Sequence, residues 1–409
     1  MVDPPFLRRA EALVAAAPQA APRGPLAGIR VLDLSAYIAG PYGCTLLADM
    51  GAEVIKVEPP SGDNLRTYPS TLASASRAFL GVNRSKRGVA IDLKQPEGLA
   101  VLMTLLDSAD VLVHNFRPSV PERLGIGYEQ LRARRPGLVY CAVTGYGDSG
   151  PMKDHAGYDQ VLQTFTGICA LQGADAPEIV YGSVVDYYAA AMVASGVSAA
   201  LFERARSGHG QYVGVSLLRS ALAMQSARFI WAGDESLAVG RDMRSGGVTG
   251  IHPAREGYLY LSANTPHFWQ TLCARIGLPH LGTDVRYDSV KKRAEQADVL
   301  VPQLRAALVA RTAREWESRF GTDVPCAAAR SIEDMFTHPQ VLAEGMVATM
   351  HHPQVGQYQG FAEAVKFGNA PPPAPFGAPA FGQHSAEVLA AHGYAPQEIE
   401  RLRSLGVIL

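Results

Sequence analysis

Absences narrow the reading first. The five cysteines, Cys44, Cys141, Cys169, Cys273 and Cys326, are scattered, with no CxxC pair and no Cys/His spacing that suits a metal. An odd, dispersed set fits buried thiols in a reducing compartment and supplies no disulfide framework. Charge of one sign is missing too: 37 Lys plus Arg against 38 Asp plus Glu leave a net charge of −1. That balance gives no support to nucleic acid or a membrane surface as a partner. No apolar run reads as long enough to span a bilayer. The first 24 residues carry Arg8, Arg9 and Glu11 where a signal peptide needs an apolar core. A cytoplasmic location is therefore expected.

What is present suits a globular protein: 47% hydrophobic and 18% charged residues. At 409 residues, two domains are expected. Residues 1–25 read as an arm, 26–224 as the first part of a large domain and 225–335 as a small one. Residues 336–409 would return to complete the large domain.

Strand and helix patterns alternate from Ile29 onward. IRVLDL, EVIKV, Val89–Leu93, Val111–His114, Leu138–Val143 and Gln211–Ser216 read as strands. Helical patterns lie at Pro41–Met50, Pro96–Ser108 and Tyr128–Arg135. This order predicts an α/β fold, a Rossmann-like large domain with a mostly parallel sheet and a smaller α/β domain. Further helices are expected over Ser220–Gly233, Phe268–Ile276, Ser289–Leu308, Ala313–Phe320 and His338–Met346, with a strand within Glu256–Asn264. The proline-rich stretch 371–379 reads as an extended connector and not a packed element.

Gly145, Gly147 and Gly150 spell GxGxxG, but Pro151 follows directly and no apolar helix opens there. The match is a decoy for a dinucleotide.

The chain is organised around Ser183–Ser216. Asp186 sits at the mouth of a long helix rich in small residues, with Arg204 and Arg206 in its last turn and Gly208 as its stop. An acid there is usually a cap for orphan backbone N–H groups. The same N–H groups also suit an anion, so a nucleophilic carboxylate is the second reading.

Several longer segments resemble the class III CoA-transferases, the family of formyl-CoA transferase, carnitine CoA-transferase and alpha-methylacyl-CoA racemase. The segments are GIRVLDLSAYIAGPYGCTLLADMGAEVIKVE, GDNLR, NRSKRGVAIDLK, NFRPSVPERLG, GYGDSGP, HAGYD and VPCAAARSIEDMFTHPQVLAEGM. The resemblance implies that Asp186 is both nucleophile and cap, and that two copies form an interlocked homodimer. It implies acyl-CoA and a small carboxylic acid as substrates, with coenzyme A as a thioester substrate and no permanently bound cofactor or metal. Asp186 would attack the thioester with a carboxylate of ordinary pKa, so no general base is expected.

By the same resemblance, Tyr37 and Ile38 lie against the nucleotide, and Ile91 and Lys94 flank the adenine. Asn115, Phe116 and Arg123 line the pantetheine path. Gly145 and Tyr146 approach the reactive end, and Thr144 stands where some members have Lys. Pro59 stands where a common family arginine is found; Arg66, Arg84, Lys86 and Arg87 could supply phosphate contacts in its place, and a solvated turn is the plainer reading of NRSKR. Ser245, Gly246 and Gly247 resemble a shortened covering loop, and Tyr158 belongs to the substrate region. Arg228, Arg241 and Arg244 are candidates for holding a second carboxylate.

The racemase branch is the alternative. It uses a His/Asp pair, and its His position holds Tyr158 here, a phenol of pKa about 10. His155 is the nearby substitute. A non-catalytic CoA-binding protein would require Asp186 to act as a cap alone.

Overall fold

The computed structural model describes residues 23–173, 176–236, 247–369 and 371–409. The chain divides into two compact units, residues 1–230 with 342–409 and residues 231–341.

The first unit is built on six parallel strands. These are β1 (Arg30–Asp33), β2 (Glu53–Glu58), β3 (Arg87–Ala90), β4 (Val111–His114), β5 (Val139–Thr144) and β6 (Tyr212–Ser216). They lie in the order β3-β2-β1-β4-β5-β6. Its helices, in chain order, begin with α1 (Ala39–Asp49), α2 (Arg77–Val82), α3 (Pro96–Ser108) and α4 (Ser119–Arg123). They continue with α5 (Tyr128–Arg134), α6 (Asp159–Phe165), α7 (Val184–Ser207) and α8 (Leu217–Ala223). Side chains alternate between the faces, as period-2 strands require. Val31, Val54, Val111, Val139 and Cys141 pack under α1 and α7. Leu32, Ile55, Leu112 and Tyr140 face α3 and the C-terminal helices.

Helices α1 and α7 lie close because Gly43 leaves room: a Cβ there would come within 2.7 Å of Val193. Helix α7 stops at Gly208, whose φ of 76° few side chains tolerate. Among the described residues α7 is also the one helix long and apolar enough to cross a membrane. This corrects the expectation that no such run exists. Ala189, Ala190, Val193 and Val197 supply the apolarity, and they are a buried core stripe.

The second unit holds the antiparallel sheet of β7 (Gly250–Pro253), β8 (Tyr258–Leu261) and β9 (Cys326–Ala328). Its helices are α9 (Pro266–Arg275), α10 (Pro279–Thr283), α11 (Val290–Glu295), α12 (Ala297–Leu308) and α13 (Ala313–Phe320). The helix expected over Ser289–Leu308 is two, broken at Gln296. Helix α14 (Pro339–Ala343) is shorter than expected and ends before Gly345, whose φ is 69°.

The chain then returns through the antiparallel hairpin β10 (Val347–His352) and β11 (Gly356–Phe361), which the sequence reading missed. Two helices follow, α15 (Ser385–Ala391) and α16 (Pro396–Ser404). The proline-rich stretch has no regular element, yet it packs. Ala378 is buried, the Phe376 carbonyl accepts from Ser85 N, and Pro379 lies against Gly88. The helix expected to run to Gly233 ends at Ala223.

Candidate active site

Strands β1 and β4 are neighbours, but the chain leaves them in opposite directions. Such a reversal opens a crevice at the carboxyl ends of the strands. A cavity of about 590 Å³ lies there. Its wall is made by the turns after β1, β2, β4 and β5 together with the start of α7. Tyr37, Ile38, Asn115, Phe116, Thr144, Gly145, Tyr158, Asp159 and Asp186 all line it.

The β1–α1 turn is clipped to β4 by Asn115, whose Oδ1 accepts from Ala36 N (3.0 Å) while its Nδ2 donates to Ala36 O (2.8 Å). Tyr37 next to it has φ 68°, a left-handed value that costs roughly 1–3 kcal/mol for such a residue. Its ring meets that of Tyr158 edge-on at 5.6 Å. Hydrogen bonding to Tyr158 first, then burial, raises the Tyr37 phenol above its ordinary pKa.

Gly145 is required by packing. A Cβ there would stand 2.7 Å from Gly157 Cα. The two loops touch, and this contact sets Tyr158 and Asp159 beside the end of β5.

Asp186 is the third residue of α7, and it does not cap the helix. Ser183, at φ 56°, precedes the helix without a side-chain cap bond. The cap comes from Asp159, whose Oδ2 accepts from Val185 N (2.6 Å) and Asp186 N (3.1 Å). Gln163 donates to the other oxygen at 2.5 Å. The capping half of the role expected of Asp186 thus falls to Asp159. The Asp186 carboxylate has no hydrogen-bond or ion-pair partner among the described residues and lines the cavity. Burial, and then the charge of Asp159, push its pKa up to about 7. The expectation of an ordinary carboxylate pKa is corrected accordingly.

The CoA-transferase family III model matches residues 26–385. The chain belongs to that family.

Among relatives, it is 33% identical to a mouse succinyl-CoA:glutarate CoA-transferase, with 94% of this chain and 90% of the relative covered. It is 32% identical to an acetyl-CoA:oxalate CoA-transferase of Acetobacter aceti, with 80% and 86% covered. A CAIB/BAIF family protein from Brucella suis has a similar structure, with a TM-score of 0.79 and 27% identity. That similarity covers 90% of this chain and 100% of the other. The chain is an enzyme of the CoA-transferase class, and CoA thioesters are the substrates of that class.

The residues expected to hold CoA or substrate in this transferase divide into two groups. Tyr37, Ile38, Asn115, Phe116, Gly145 and Tyr158 line the cavity with Asp186. Ile91 does not: it is buried in the sheet core and bridges to Ile408. Lys94 and Arg123 are exposed and lie outside the lining, as does Tyr146, which packs on His155 and Phe165. Ser245, Gly246, Arg241 and Arg244 fall outside the described residues. Gly247 belongs to the second unit, with φ 91°.

The four expected phosphate cations are engaged by acids. Arg66 forms a forked pair with Glu58 (2.7 Å twice). Arg84 is buried on Asp49, Lys86 is buried on Asp33 (2.8 Å), and Arg87 pairs with Glu53 and Glu387. The NRSKR cluster is therefore structural. Among the described residues, the solvent-facing cations that line the cavity are Arg117 and Lys153, which the sequence reading did not single out. It also missed the capping role of Asp159, although HAGYD was one of the segments that carried the resemblance.

The paired causes behind Asp186 predict a pH effect. On the reading that Asp186 attacks as a carboxylate, as proposed below, kcat/KM should rise with pH through about 7 and level off above it. Asp159→Asn removes the charge but keeps an acceptor for the cap. The midpoint of the acid limb should fall below that of the wild type yet stay above the ordinary carboxylate range, because burial remains. A pH–rate profile with an unmoved midpoint would rule out the Asp159 contribution.

Proposed function

We propose that this transferase moves CoA from succinyl-CoA or acetyl-CoA to a small carboxylic acid, with Asp186 as a covalent relay. The observation that carries this reading is the half-buried Asp186 carboxylate in the cavity, which has no partner among the described residues and whose pKa is pushed up to about 7. Once ionised it is more basic than an ordinary carboxylate, and basicity favours nucleophilic attack.

Asp186 Oδ attacks the thioester carbonyl, the carbon–sulfur bond breaks, and CoA thiolate leaves. The mixed anhydride is then attacked at the Asp186 carbonyl by that thiolate, which releases the donor acid. The resulting aspartyl-CoA thioester meets the acceptor carboxylate, and the two steps run in reverse with the new acid. Each step exchanges one activated acyl group for another, so no external energy source is needed. Tyr37, Ile38, Asn115 and Phe116 would hold the CoA arm. Arg117 and Lys153 would meet phosphates or a second carboxylate of the acceptor. Relatives named for glutarate and for oxalate support a dicarboxylate. We also propose that the working unit is a homodimer. Phe202 and Phe229, 67% and 69% exposed, support an apolar contact with a partner subunit.

Mass spectrometry after mixing with succinyl-CoA, without acceptor, tests the relay. A CoA adduct is expected on the wild type and not on Asp186→Ala. His155 lines the same cavity as Asp186 and supports the racemase reading as the alternative. Absence of an adduct with any acyl-CoA, together with deuterium uptake at the alpha carbon of a branched acyl-CoA, would establish that alternative.

A further inference from the structure

A mixed anhydride in an open cavity is destroyed by water. The Tyr37 ring stands in the cavity wall, and its backbone conformation is imposed from beneath. Asp63 Oδ1 accepts from Tyr37 N (3.2 Å) and Leu65 N (2.9 Å). Its Oδ2 pairs with Lys56 Nζ at 2.9 Å. Lys56 is fully buried and also donates to Ser35 O at 2.9 Å, two residues before Tyr37. The Asp63 amide in turn donates to Glu58 Oε2 at 2.9 Å, and Glu58 is locked by Arg66. Both oxygens and the amide of Asp63 are thus fixed by surrounding groups, and one of its bonds goes to the one residue of the turn with a positive φ.

We propose that Asp63 is a positioning residue. It clamps Tyr37 in its left-handed conformation against Tyr158 and so sets how the Asp186 anhydride divides between transfer and hydrolysis. This rests on the covalent reading above. In the hydrolytic branch, water oxygen bonds to the acyl carbon of the anhydride and the bond from that carbon to Asp186 Oδ breaks. A proton passes to solvent, and Asp186 is regenerated. The net change is thioester plus water to carboxylic acid plus CoA thiol.

The test uses the full chain with succinyl-CoA, with and without glutarate. It compares wild type, Asp63→Ala, Tyr37→Gly and the double variant. Thiol release, acyl transfer and the CoA adduct are followed together, with circular dichroism as a folding control. Asp63→Ala removes the acceptor for Tyr37 N and should raise the ratio of hydrolysis to transfer by about fivefold or more, with a smaller change in KM for succinyl-CoA. Tyr37→Gly should do the same. Asp63→Ala should then add nothing in the Tyr37→Gly background, because glycine adopts a positive φ unaided. An unchanged ratio in folded Asp63→Ala, or additive effects in the double variant, overturns the proposal. If Asp63→Ala does not fold, Tyr37→Leu keeps the clamp and removes the aromatic ring, and an unchanged ratio there overturns it equally. Failure of the covalent reading shows separately, as a wild type that forms no adduct.

Discussion

Asp186→Asn lowers kcat/KM for CoA transfer by at least about 10³-fold and makes the folded chain more stable above neutral pH. On the proposed covalent relay, the kinetic loss follows from removing the carboxylate that would attack the thioester. The gain in stability follows from the pKa. The folded-state value of about 7 lies above an ordinary Asp value of about 3.9. The folded state therefore binds the proton more tightly than the unfolded chain. Stability linked to that proton is fully present below about pH 4 and is lost as pH rises through 7. At about 1.4 kcal/mol per pH unit, the loss is at most ~4 kcal/mol, and relaxation around the carboxylate reduces it. Asn carries no such proton and escapes the loss. Denaturant unfolding at pH 4 and pH 8 checks this. The variant should match the wild type at the lower pH and exceed it at the higher. Equal stability at pH 8 would mean that Asp186 is not strained by ionisation.

Lys86→Met should cost roughly 3–5 kcal/mol of stability, because it strips a buried acid of its partner. The Lys86 ammonium donates to Asp33 Oδ2 (2.8 Å), Pro41 O (2.7 Å) and Asn83 Oδ1 (2.9 Å), which uses all three hydrogens. Burial pulls the Lys86 pKa down while the Asp33 charge holds it up, and the net shift is downward. Burial opposes ionisation of Asp33, but Lys86 and Lys56 more than offset it and keep its pKa below the ordinary carboxylate range. Thermal unfolding should show a drop of several degrees or more. Replacing both partners, Lys86→Met with Asp33→Leu, should recover part of that loss, since the apolar pair leaves no orphaned charge while Pro41 O, Asn83 Oδ1 and Ser35 each lose a partner. A single variant as stable as the wild type would show that the pair contributes nothing.

The six strands of the parallel sheet were legible because each is a short apolar run bounded by turn residues, and α3 was legible to its ends because Pro96 opens it. The place of Asp186 at the mouth of a long helix was legible in the sequence, while its local setting was not. A capping acid and an attacking acid look alike in sequence, and only the Gly145–Gly157 contact brings Asp159 under α7. The NRSKR cluster misled for a related reason. Five consecutive polar and basic residues read as phosphate contacts or a solvated turn, yet Arg84 and Lys86 reach acids 35 and 53 residues earlier in the chain. Hairpin β10–β11 was missed because His351, His352 and Gly360 interrupt the apolar alternation expected of strands.

The division of the first unit between two distant stretches of chain has a consequence for biosynthesis. Val388, Leu389, Ile399, Leu402, Val407 and Ile408 cover the sheet face formed by Leu32, Ile55 and Leu112. Ile408 bridges to Ile91, and Leu409 N donates to Ala90 O. A nascent chain carrying the first six strands therefore presents a greasy, unroofed surface until some two hundred further residues have left the ribosome. Such late closure slows folding and exposes the intermediate to aggregation. Chaperone occupancy on translating ribosomes should peak after residue 216 emerges and fall once residue 408 does.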